Sequence, residues 1–238
     1  MYTSLKLVSV AALLGLVAAA PASDSSSGGG VKIVIKNQCD YDLNIGKLDN
    51  GASSPETADV AKGASKTYSL DSKWQGRFWG REAGDENPTA GAADPASLAE
   101  FTFKGYGNND YYDVSFVDGY NIPIRIDPIN GDKSGGADNG EHYLCGAPTC
   151  SSLPACPDEL KVMDNGEEVG CKSACSEFNT EEYCCFGSMD TPETCPANEY
   201  SKDVKDACPD VYTYAYDDPT STFMCRAEGY TVTFCPSS

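Results

Sequence analysis

The sequence predicts a mainly β protein: a β-sandwich or flattened barrel, joined to a disulfide-rich segment of loops and short helices. Three observations carry this expectation. Short segments with period-two alternation recur between Val31 and Ile126, and no amphipathic helical period occurs before residue 144. Nine of the twelve cysteines fall between Cys145 and Cys208, in a stretch with few large apolar residues. Glycine and proline, 23 and 14 among 238 residues, supply many turns.

The elements follow in order. Residues 1–22 read as a signal peptide: Lys6, the apolar run LVSVAALLGLVAA, then small residues offering cleavage near Ala20 or Ala22. The run is too short to span a bilayer, so an uncleaved anchor is disfavoured. Residues 23–30, SDSSSGGG, read as a flexible leader. Residues 31–36 form the first strand, with Val31, Ile33 and Ile35 on one face. Residues 42–46 and 67–70 are weaker strands, and 49–66 reads as loop-like. In 77–81, Arg77, Trp79 and Arg81 share a face opposite Phe78. Residues 82–96 carry no strand signal. In 98–103, Phe101 and Phe103 oppose Glu100.

Residues 110–126, DYYDVSFVDGYNIPIRI, predict a strand, an Asp-Gly turn and a second strand as a hairpin. Asp113 lies in the first strand and Asp118 heads the turn, among Tyr111, Tyr112, Phe116 and Tyr120. Pro123 makes 122–126 an edge or bulged strand. Residues 131–141 are loop. Beyond Cys145, residues 154–161 and 172–179 predict short helices, and 199–207 gives the clearest helix start. Residues 211–216 and 230–234 predict strands that return to the first sheet. The expected sandwich domain is thus 31–144 plus 209–238, and the disulfide-rich domain 145–208.

An even cysteine count behind a signal peptide implies six bridges and an oxidising, extracellular location. Zinc would want Cys-x2-Cys pairs with spaced histidines, and His142 stands alone. Its surroundings read as a loop. No other cofactor or metal is called for, beyond a divalent cation held weakly by clustered acids. The formal charge is −19, and loss of the signal peptide removes only Lys6. That balance disfavours nucleic acid and anionic membranes as partners. Most of it serves solubility. A soluble monomer is expected.

Parity puts Arg77, Glu100 and Asp113 on the polar faces of their strands, and the turn accounts for Asp118. These acids, with aromatics nearby, read as the floor of a cleft for a neutral, ring-shaped ligand, a sugar polymer. Trp79, Tyr111, Tyr112 and Tyr120 are candidate stacking platforms.

NQC at 37–39, GRFWGR at 76–81, LAEFTF at 98–103, YYDVSFVDGYNIPI at 111–124, CKSAC at 171–175, EYCCFG at 182–187, YSKDVKDACPDVYTYAYDDPTSTFMC at 200–225 and the ending VTFCP resemble the thaumatin-like proteins of the pathogenesis-related family 5 type. The resemblance spans residues 31–236. It implies a β-sandwich, a disulfide-rich second domain and an acidic cleft. It also implies the bridges Cys39–Cys235, Cys145–Cys225, Cys150–Cys208, Cys156–Cys171, Cys175–Cys184 and Cys185–Cys195. The family's cleft residues map here to Arg77, Glu100, Asp113, Asp118 and Asp218, with Arg81 and Asp217 as alternatives. Residues 81–100 contain no cysteine, whereas long plant members carry two further bridges there. That departure resembles a fungal-like, non-plant member. Some members bind β-1,3-glucans and some hydrolyse them. Hydrolysis would use Glu100 as acid and Asp113 as base or nucleophile. The competing class is a non-catalytic defence, effector or inhibitor protein with a protein partner.

Overall fold

The computed structural model describes residues 30–84, 90, 94–135 and 140–237. The signal peptide, nearly all of the leader and parts of the 82–96 and 131–141 loops lie outside the described residues. The strands are β1 (Val31–Asn37), β2 (Leu43–Asp49), β3 (Glu56–Val60), β4 (Ser65–Leu70), β5 (Gln75–Glu82), β6 (Leu98–Thr102), β7 (Asp110–Ser115), β8 (Gly119–Tyr120), β9 (Ile124–Ile129), β10 (Thr149–Cys150), β11 (Lys161–Asp164), β12 (Glu167–Lys172), β13 (Phe223–Cys225) and β14 (Gly229–Phe234). Three short helices, α1 (Ala174–Phe178), α2 (Glu181–Cys184) and α3 (Glu199–Ala207), follow β12. Strand β3 lies inside the stretch read as loop; its one fully buried residue is Val60, so no alternating signal marked it.

Two sheets form the sandwich. One has the order β10-β9-β14-β1-β4 and the other β13-β7-β6-β5-β2-β3. Their facing side chains make the core. Ile33, Ile35 and Val232 come from the first sheet, Phe78, Phe101 and Tyr112 from the second, and none is more than 3% exposed. The rings of Tyr112 and Tyr230 meet across it at 4.9 Å between centroids. The Tyr230 hydroxyl donates to buried Asp110 at 2.9 Å, which satisfies both groups. Strand β14 runs parallel to β1.

The predicted 110–126 hairpin does not form. Strand β7 is paired on both sides, by β6 and β13, so no edge is left for the chain that follows. Strand β8 instead joins a third sheet, β11-β12-β8. Gly119 is needed there for close approach as well as for its φ of +116°. A Cβ on it would lie 2.2 Å from the Cys171 carbonyl oxygen. Nor is the strand after Pro123 an edge at its start, since β9 lies between β10 and β14. Residues 211–216 are not a strand; Tyr212 makes a single bridge to Ser115. In place of a helix over 154–161 there is a single 3-10 turn, Asp158–Leu160, and Lys161 opens β11.

Six disulfides join Cys39–Cys235, Cys145–Cys225, Cys150–Cys208, Cys156–Cys171, Cys175–Cys184 and Cys185–Cys195. The segment from 145 to 208 carries one half or both halves of five of these bridges. It contributes few residues to the core, so cross-links supply stability that burial does not. Among the described residues, no helix is long and apolar enough to cross a membrane.

Candidate functional site

The site begins with strand register. Arg77 on β5 faces Glu100 on β6, and Glu100 faces Asp113 on β7. Directly opposite residues project to the same side, with Cβ atoms about 5 Å apart. The three side chains therefore form one row across the outer face of the six-stranded sheet. The adjacent row of Gly76, Phe101, Tyr112 and Phe223 turns inward to the core. Strand alternation thus places charge and core on opposite faces of the same three strands.

Arg77, Glu100, Asp113, Asp118 and Tyr212 line one open depression over this row. A second depression, past Tyr111, shares Arg77, Glu100 and Asp113 with it. Asp118 arrives where the chain leaves β7 for β8, and its carbonyl accepts from the Ser176 hydroxyl at 3.0 Å. Asp218 comes from the C-terminal segment. Its Oδ1 accepts from the Tyr212 hydroxyl at 2.8 Å, and that hydroxyl also meets Thr222 at 2.7 Å.

Crowded acids perturb one another. Burial raises the pKa of Glu100, Arg77 and a hydrogen bond from Ser115 pull it down, and Asp118 pushes it up again. Burial raises the Asp113 pKa well above the usual carboxylate range, with Glu100 and Asp218 adding repulsion. One carboxylate of the pair keeps its proton where an ordinary one has lost it.

The two pairs of alternatives sit in different surroundings. Arg81 is buried and donates to the Asp94 carbonyl at 2.9 Å, outside the depression. Arg77 is the arginine in the row. Asp217 is buried, and its Oδ2 takes up Lys205 at 3.1 Å and the Thr213 amide and hydroxyl, each at 3.0 Å. It holds the loop together, whereas Asp218 bonds to Tyr212, which lines the depression, and adds repulsion to Asp113.

Of the proposed stacking platforms, Tyr111 lines the depression and is half-buried. Trp79, Tyr112 and Tyr120 need correction. Trp79 shares the outer face with Arg77, but its ring lies over Gly46 and packs under Ala96 and Leu98, leaving 2% exposed. Tyr112 is a core residue whose hydroxyl donates to the Gly146 carbonyl. Tyr120 is 4% exposed, packs on Phe116 and donates to the Pro154 carbonyl. None lines the depressions over Arg77, Glu100 and Asp113. His142 pairs with Asp210 at 2.8 Å and does not line the depression.

Sequence reasoning missed Ser115, Tyr212 and Lys205. Ser115 shares parity with Asp113, which was a usable signal. Lys205 lies on α3, where it reads as a solvated charge. Its ammonium instead donates to Val211 O, Thr220 O, Ser221 Oγ and Asp217 Oδ2, all within 3.1 Å. That clamp shapes the loop carrying Tyr212 and Asp218.

Comparison with known proteins agrees with this architecture. Residues 37–236 match the Thaumatin family. Pathogenesis-related protein 5 of Arabidopsis thaliana is 42% identical over 223 residues, covering 85% of this chain and 89% of its own. Pathogenesis-related thaumatin-like protein 3.5 of Cryptomeria japonica is 40% identical over 237 residues, covering 90% and 93%. Among solved structures, a family 64 laminaripentaose-producing β-1,3-glucanase from Paenibacillus barengoltzii, complexed with laminarihexaose, covers 87% of this chain and 75% of its own. Its TM-score is 0.57 at 14% identity, a likeness of fold. The family match and the two relatives at 40% identity or above, spanning nearly the whole chain, establish that this chain belongs to the thaumatin family as a thaumatin-like protein of the pathogenesis-related 5 type.

Proposed function

We propose that this protein is secreted and binds a β-1,3-glucan or related cell-wall polysaccharide in the depression around Arg77, Glu100 and Asp113. The observation that carries the reading is the row itself: a guanidinium and two carboxylates in consecutive register, half-buried in an open depression, with Asp118 beside them and Asp218 near enough to repel Asp113. Carboxylates accept strong hydrogen bonds from sugar hydroxyls, and the arginine fixes their geometry. A net charge of −19 repels anionic ligands and leaves neutral polyols as the fitting class. Six disulfides suit an oxidising extracellular compartment. The domain division stays part of this proposal: 31–144 with 209–238 as one wall of the cleft, 145–208 as the other.

A second reading, hydrolysis, is favoured by the raised proton affinity of Glu100 and Asp113. Burial and mutual repulsion raise both carboxyls, which suits a proton shared by the pair. Arg77 and Ser115 favour charge on Glu100. Hydrolysis needs one of the pair as acid and the other charged, and the roles stay those expected from sequence, Glu100 as acid and Asp113 as base or nucleophile. Calorimetric titration with a soluble β-1,3-glucan tests binding, with Glu100→Gln and Asp113→Asn as variants. Loss of binding in both supports the site; wild-type protein that binds no glucan moves the reading to a protein partner. Release of reducing ends, abolished in the same variants, separates hydrolysis from binding.

A further inference from the structure

Beside the charged row lies a neutral one. Two residues along each strand, Gln75 faces Thr102 and Thr102 faces Tyr111. Asn50 extends the row beyond β2: its amide nitrogen donates to the Gln75 carbonyl at 2.8 Å and its Nδ2 to Gln75 Oε1 at 3.2 Å. Residues two apart on a strand share a face, so this row runs about 7 Å from Arg77, Glu100 and Asp113 on the same outer surface. Both rows line a single depression. The neutral row, crossing four chain segments, extends about 14 Å and the charged row, crossing three strands, about 10 Å, each longer than one sugar ring.

The neutral row holds two amides, a hydroxyl and a phenol. Asn50 and Gln75 are exposed, and Thr102 and Tyr111 are half-buried. The Asn50–Gln75 bond occupies Nδ2 of one and Oε1 of the other. Oδ1 of Asn50 and Nε2 of Gln75, an acceptor and a donor, remain for a ligand. The Tyr111 hydroxyl donates to the Tyr106 carbonyl at 3.3 Å, which orients the ring and keeps its lone pairs available. Exposed neutral side chains of this kind contribute little to folding.

We infer that Asn50, Gln75, Thr102 and Tyr111 form a second subsite row, which hydrogen-bonds the hydroxyls of a neutral oligosaccharide several units long. The inference rests on the proposed binding reading and deepens it. The charged row anchors the ligand, and the neutral row gives preference for longer chains that cover both.

The test is calorimetric titration of wild type, an Asn50→Ala/Gln75→Ala double variant and Thr102→Val with a soluble β-1,3-glucan and with a short β-1,3-linked oligosaccharide. Thermal melts run alongside. The double variant should bind the polymer about tenfold more weakly, as expected for losing one to two good hydrogen bonds. Its melting temperature should stay within about 2 °C of wild type, since exposed sites move stability little. Affinity for the short ligand should change less. Wild type that binds while the double variant binds the polymer equally well overturns the neutral row and leaves the acidic site standing. Wild type that binds neither ligand overturns both.

Discussion

Replacing Asp113 by asparagine should stabilise the fold near neutral pH while weakening ligand binding. Asp113 faces Glu100 directly and feels Asp218 as well. Two full charges about 5 Å apart at an effective dielectric of about 20 repel by roughly 3 kcal/mol. Sharing a proton relieves part of that, so a gain of about 1–3 kcal/mol is expected on removing one acid. For a chain of this size each kcal/mol moves the melting temperature by about 2–4 °C, so the variant should melt about 2–12 °C higher at pH 7. The pH dependence fixes the sign. Both carboxyls have raised pKa values in the folded state, so the folded protein holds protons that the unfolded chain has released. Wild-type stability from this pair is therefore fully present below the unfolded carboxylate pKa, about 4, and falls as pH rises through the folded values. The advantage of Asp113→Asn should grow across the same interval and nearly vanish at pH 3.5. Calorimetric melts of both proteins at pH 3.5 and 7 measure it. An asparagine variant less stable than wild type at pH 7, or a difference equal at both pH values, would refute the electrostatic account.

Two further substitutions probe other claims. Trp79→Ala removes a ring sealed between Gly46, Ala96 and Leu98 and should cost about 3–5 kcal/mol, read by denaturant titration; a loss below about 1 kcal/mol would mean that the ring is not a packing element. Asp217→Asn and Asp218→Asn should separate two neighbours. The first weakens the Lys205 clamp and lowers the melting temperature. The second keeps an acceptor for Tyr212, melts near wild type and loses glucan affinity in the titration.

Much of the site was legible because strand parity is local. Alternation alone put Arg77 opposite Phe78, Glu100 opposite Phe101 and Asp113 on the polar face of its strand, and the sheet keeps that division. Parity says nothing about what covers a face, so it offered Trp79 as a platform when a loop already sealed it. Nor does a local turn signal reveal pairing partners. Asp118-Gly119 reads as a hairpin, yet β7 has neighbours on both sides, and Gly119 serves close approach to β12. Strand β3 and the clamp of Lys205 on the 211–221 loop depend on long-range contacts that no window of residues displays. The pairing of the cysteines came with the family resemblance, because spacing could not choose among connectivities.

The acidic row is rigid, being built on paired strands, but Tyr212 and Asp218 reach it from a loop. That loop is held by the Tyr212 amide to Val114 O at 2.9 Å, the Phe116 amide to Tyr212 O at 2.8 Å, and Lys205. Lys205 in turn lies on α3, which ends against Cys208 and its bridge to Cys150. A self-repelling site needs such anchoring from outside the sheet, and the disulfide-rich segment supplies it. Removing this bridge with Cys150→Ala/Cys208→Ala releases a closure of 58 residues, worth about 2–4 kcal/mol in typical cases. The two sandwich sheets keep their pairings, so the far-ultraviolet circular dichroism of the variant should resemble wild type. Glucan affinity should fall, because the loop carrying Asp218 loses its fixed end. Affinity unchanged in a variant of lowered stability would show that the sheet alone makes the site and that the 145–208 segment acts only as a staple.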